Sequence, residues 1–90
     1  MDKEKQDMII TFYEVLDNNN HFEAGYAIDK NALEEHINIA KEIENEGYIK
    51  LEKYKSTNTN GFICTIIFQG QITDKGLTLV KELNIKKNKY

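Results

Sequence analysis

Apolar positions along the chain fall into five groups, and their spacing changes from group to group. In "DMIITFYEVLDNNN" the residues Met8, Ile9, Phe12, Val15 and Leu16 recur at helical spacing and form one stripe. A helix from about Lys5 to Asp17 is predicted, with Asp7 as its N-cap and Asn18-Asn19-Asn20 ending it. "HFEAGYAID" satisfies two periods at once. Phe22, Ala24, Tyr26 and Ile28 alternate like a strand, yet Phe22 and Tyr26 also stand four apart, and Gly25 interrupts either pattern. A short helix or a short strand fits.

The clearest group is "DKNALEEHINIAKEIENEG". Leu33, Ile37, Ala40 and Ile43 step by four, three and three, the seam of a helix over about Asn31–Glu46. Asp29 or Asn31 can cap its start, and Gly47 stands where a left-handed residue ends a helix. "YIKLEKYK" then alternates, "STNTNG" is a polar turn with Asn60-Gly61 suited to positive backbone dihedrals, and "FICTIIFQ" reads as the returning strand. This is a β-hairpin. Thr73 can cap a last helix, Asp74 suits its dipole, and Leu77, Val80 and Leu83 with Leu79 supply its buried face. The tail from 85 to 90 loses the pattern and is expected to fray.

The expected whole is one α+β domain over 1–90, with its core at about 5–84. Ninety residues hold a single core. No apolar run is long enough for a membrane span, and "MDKEKQD" leads into no apolar signal core. The single cysteine, Cys64, excludes an internal disulfide framework and fits a reducing cytoplasm. It alternates with Phe62 and Ile66, which suits a small buried apolar residue better than a reactive thiol.

The modest net charge of −3 conceals a division. From Met1 to Gly47 there are 12 acids to 4 lysines; from Tyr48 to Tyr90 there are 3 acids to 8 lysines. A polarised surface is expected, with an anionic partner on the basic half.

The residues "EIENEGYIKLEKY", followed after a hairpin by "ITDKGLTLVKEL", resemble the winged helix-turn-helix domains. The matching positions are Gly47, Tyr48 and Ile49, then Ile72, Thr73, Lys75, Gly76 and Leu79. At this length the likeness is to the small YjcQ-type winged-helix proteins of bacterial and prophage genomes. It implies a three-helix core, a β-hairpin wing, a C-terminal helix and a DNA-binding regulator of transcription. On duplex DNA the 31–46 helix would read bases through Lys30, Asn31, Glu34, Glu35 and Asn38. The wing would contact phosphates through Lys50, Lys53, Lys55, Thr57 and Asn58. Glu34, Glu35, Glu42, Glu44 and Glu46 oppose entry into a phosphate field, and there is no arginine. The alternative is a protein-docking module that presents the acidic helix to a basic partner. The wing lysines also have a plain structural use, deterring edge-to-edge strand pairing.

No catalytic, metal or phosphate-loop constellation stands out, so no enzyme and no cofactor are expected. His21 and His36 lack companions at ligand spacing, and Gly61, Gly70 and Gly76 are too scattered. The stripes at Met8–Leu16 and Leu77–Leu83 are equally suited to a core or to a homodimer.

Overall fold

The computed structural model describes residues 2–58 and 61–87. The elements run α1 (Lys3–Glu14), β1 (His21–Asp29), a single 3-10 turn (Lys30–Ala32), α2 (Leu33–Asn45), β2 (Ile49–Asn58), β3 (Ile63–Ile72) and α3 (Asp74–Lys87). The strands form one antiparallel sheet in the order β1-β3-β2. The three helices contribute to a core on one face of it.

The segment with two competing periods is a strand. His21 to Asp29 pairs residue for residue with Gln71 to Ile63, so the period of two prevails. It does so because Phe22 and Ala24 bury on the helical side, with Tyr26 and Ile28 packed beside them. This overturns the winged helix-turn-helix expectation. A nine-residue strand separates α1 from α2, so no two helices are joined by a turn, and α2 lies on the sheet instead of projecting from it.

The core is one cluster. Met8, Ile9 and Phe12 of α1, Ala40 and Ile43 of α2, and Val80 of α3 meet Phe22, Ala24, Ile49, Ile66, Phe68 and Ile72 of the sheet. Phe12 stacks on Phe22 at 4.1 Å between centroids and meets the Phe68 ring edge-on at 5.9 Å. The stripes of α1 and α3 are therefore largely spent inside the chain's own core. Val15 is the exception, left 45% exposed.

The helix ends differ from the expected bounds for local reasons. Asp2, not Asp7, occupies the N-cap position of α1, and no side chain caps it. The helix stops at Glu14, and Asp17 then organises the turn into β1. One Asp17 carboxylate oxygen accepts from the backbone N–H of Asn19 and of His21, bonds that hold its pKa below the ordinary aspartate value. Before α2 the backbone makes the 3-10 turn, with Asp29 Oδ1 accepting from Asn31 N–H at 2.8 Å. α2 closes on Gly47 at φ +89°. There Tyr48 N–H donates to Ile43 O and Gly47 N–H to Glu44 O, which is a Schellman ending.

The hairpin is longer than its sequence suggests. β2 continues through Ser56, Thr57 and Asn58, so these are strand residues and not turn residues. The turn expected at Asn60-Gly61 falls partly outside the described residues. A bulge at Glu52 shifts register between Leu51 and Lys53, and Glu44 Oε2 accepts from Leu51 N–H beside it at 2.7 Å. Opposite the bulge, Gly70 is essential to the packing: a Cβ there would lie 2.3 Å from Lys50 O.

α3 begins as its sequence suggests. Thr73 Oγ1 accepts from Gly76 N–H at 3.1 Å and donates to Gly47 O at 2.6 Å. The helix continues to Lys87, so the backbone at 85–87 is helical where a frayed tail was expected. Residues 88–90 lie outside the described residues.

Candidate nucleic-acid interface

Alternation along each strand divides the sheet residues into two sets. Cys64, Ile66, Phe68, Gly70 and Ile72 of β3 are buried toward the helices. Ile63, Thr65, Ile67, Gln69 and Gln71 point the other way, onto a face that none of the described helices covers. Register carries the division to both edges, because directly paired residues share a face. Lys50 pairs with Gln71, Lys53 with Gln69, Lys55 with Ile67, and Thr57 with Thr65. On the far side Gln71 pairs with His21, Gln69 with Glu23, Ile67 with Gly25 and Thr65 with Ala27.

Three lysines and a threonine thus stand along one edge of an open face, all exposed. A middle row of two glutamines, a threonine and two isoleucines runs beside them. The opposite edge is acidic, and its charges are partly engaged. Gln69 Nε2 donates to Glu23 Oε1 and Asp29 caps the 3-10 turn, while His21 Nδ1 lies 3.9 Å from Glu52, the acid that stands between Lys50 and Lys53 on β2. The lysine row has no such partner among the described ion pairs.

The helix half of the expected site lies elsewhere. α2 covers the buried face of the sheet, so its exposed residues look away from the lysine row. Asn31, Glu34, Glu35 and Asn38 line a groove with Asp2, Glu4, Lys5 and Glu42 of the two helices. Lys5 bridges to Glu42 at 3.4 Å and Glu46 at 2.7 Å. The Glu46 hydrogen bond raises the Lys5 pKa above its ordinary value. Lys41, the lysine of α2, lies over the Tyr54 ring at 5.7 Å. The helix surface is therefore acidic. A single contact surface joining helix and hairpin, as in the expected reader, is not formed.

Of the ten expected contact residues, Lys50, Lys53, Lys55 and Thr57 come together. Asn58 pairs with Cys64 and so has the opposite parity. Lys30 sits at the hairpin end, its backbone N–H donating to Phe62 O at 2.8 Å. Sequence reasoning missed Gln69, Gln71, Ile63 and Ile67. Parity was their only signal: each is an odd-numbered neighbour of the buried even-numbered series in β3.

A second concavity, about 260 Å³, lies where α1, α2 and β1 meet. Tyr26, Thr11, His36 and Ile39 line it with Glu4, Asp7 and Glu35. Burial raises the Tyr26 pKa, with the Thr11 hydroxyl opposing the shift. Thr11 nevertheless donates its own hydrogen to Asp7 O at 2.9 Å. The buried Tyr26 hydroxyl is left without a partner of good geometry. The volume lies below the range of about 300–1,000 Å³ usual for small-molecule sites.

No protein-family model and no curated protein matches the sequence. Among solved structures, the crystal structure of ALBA1 from Trypanosoma brucei superposes with a TM-score of 0.59. The alignment covers 93% of this chain and 76% of that one. The fold is similar to that of ALBA1. At 13% identity the likeness to ALBA1 is one of architecture, and it stands against the winged-helix arrangement as the strand at His21–Asp29 does. No helix of the described chain is long and apolar enough to cross a membrane.

Proposed function

We propose that this protein binds nucleic acid through the open face of its sheet. The supporting observation is the alignment of Lys50, Lys53, Lys55 and Thr57 along one exposed edge, with the amide side chains of Gln69 and Gln71 next to them. Lysine ammonium groups meet phosphates as point charges, and hydroxyl and amide groups add hydrogen bonds to phosphate and sugar. The acidic helical layer on the other side favours one orientation, with the sheet toward the polyanion and the carboxylates of Glu34, Glu35 and Glu42 away from it. Sequence readout by α2 has no part in this function.

The test is binding to a labelled oligonucleotide at about 50 mM salt. Replacing all three lysines (K50Q/K53Q/K55Q) is expected to weaken binding at least tenfold. It should also flatten the dependence of log K on log salt by about 2–3, close to one for each phosphate that is no longer neutralised. E34Q/E35Q should leave affinity unchanged or slightly tighter. Equal affinity of the lysine variant and the parent would refute the proposal.

A second reading has its own observation. Asp2, Glu4, Glu34, Glu35 and Glu42 share one groove whose lysine, Lys5, is already engaged, a surface suited to a basic protein segment. A basic peptide whose binding is abolished by E34K/E35K, in a protein indifferent to oligonucleotides, would favour this reading.

A further inference from the structure

We infer that the sheet face takes single-stranded nucleic acid in preference to duplex, an inference that rests on the nucleic-acid reading above. The open face is not uniformly polar. Ile67, in the middle strand directly beside Lys55, is 37% exposed, and Ile63, further along the same face, is 38% exposed. Apolar side chains held at the surface next to a row of ammonium groups match a ligand that is anionic along one side and flat and apolar along the other. A single strand with unstacked bases has that character. A duplex does not, since its bases are stacked inward and its outer surface is phosphate and sugar.

Shape points the same way. Grooves of duplex DNA are read by an inserted helix or by a two-stranded ribbon. Here all three described helices pack on the other side of the sheet, and α2, the helix expected to read bases, is acidic. A three-stranded face about 10 Å across, at about 4.8 Å between strands, is instead a platform. Phosphates would follow Lys50, Lys53 and Lys55 along β2, and bases would lie across Ile67 and Ile63. Three successive lysines over about 15 Å of strand suit a site of about four nucleotides.

The experiment is fluorescence polarisation with three labelled probes: oligo(dT), oligo(rU) and a hairpin duplex of matched phosphate number. Parent, I63A/I67A and K50Q/K53Q/K55Q proteins are compared, with thermal melts to verify folding. Ile63 and Ile67 are both exposed and lie outside the core cluster, so their truncation leaves the core intact. The expected result is at least tenfold tighter binding of one or both single strands than of the duplex. I63A/I67A should lose about tenfold on the single strand through lost apolar contact, with its salt dependence and its duplex affinity unchanged. Equal or tighter binding of the duplex would overturn the inference while leaving the nucleic-acid reading in place. So would undiminished single-strand binding by I63A/I67A. Failure of the parent protein to bind any of the three probes would overturn both.

Discussion

Replacing Gly76 by alanine should destabilise this protein by about 3 kcal/mol, a fall in Tm of at least about 12 °C for a domain of this size. Helix propensity alone predicts the reverse, since alanine is favoured over glycine within a helix by about 1 kcal/mol. Packing decides against propensity. A Cβ on Gly76 would stand 2.2 Å from the Tyr48 carbonyl oxygen and 2.8 Å from Ile72 Cγ2. The first of these is backbone at the entry to β2, fixed by Thr73 N–H donating to the same carbonyl at 3.2 Å. Relief requires α3 to move outward by about an ångström, which strains the Thr73 hydrogen bonds and opens space beside Val80, now fully buried. Gly61 is the control, because nothing lies within 4 Å of a Cβ built there. Thermal melts of G76A and G61A suffice; an unchanged or raised Tm for G76A would show that α3 does not dock as described.

Phe12→Ala should be as severe or worse, at about 3–5 kcal/mol. Phe12 is fully buried, stacked on Phe22 and edge-on to Phe68, so its ring joins α1 to both β1 and the central strand. Truncation leaves a cavity that these aromatic neighbours cannot fill by small shifts. A 90-residue domain has a total stability of about 5–13 kcal/mol, so the variant would be close to unfolding. Urea titration is expected to show a much lower midpoint. A loss below about 1 kcal/mol would mean that α1 is not anchored on the sheet.

Gly76 also explains how much of the fold could be read in advance. The pieces "EGYI" and "ITDKG", which carry the winged-helix resemblance, are the two sides of one joint. Gly47 ends α2 with a left-handed residue, Thr73 donates to the Gly47 carbonyl, and Gly76 packs on Tyr48. These residues specify how a helix runs into a hairpin and how the hairpin hands over to the next helix. They say nothing about the chain before α2. In that earlier part lay the ambiguous segment from His21 to Asp29, whose local pattern served helix and strand equally. Its state was settled by a partner more than 30 residues away, β3, which offers nine paired positions. Local periodicity holds no record of such a partner.

The candidate site divides in the same way. Lys50, Lys53, Lys55 and Thr57 were legible as a basic hairpin, because charge and alternation are local properties. That they face away from Glu34 and Glu35 depended on which side of the sheet α2 covers. That is set by the burial of Ala40, Ile43, Ile66 and Phe68 in one cluster. Gln69, Gln71 and Ile67 became visible as neighbours of the lysines only through the β2–β3 register, bulge included.

The claim that the open sheet face is the binding surface is tested most directly by amide chemical-shift mapping during titration with a short oligonucleotide. The prediction is that shifts concentrate at Lys50, Lys53, Lys55, Ile67, Gln69 and Gln71, with Asn31, Glu34, Glu35 and Asn38 unmoved. Shifts confined to the α2 residues, with the lysine strand silent, would contradict it.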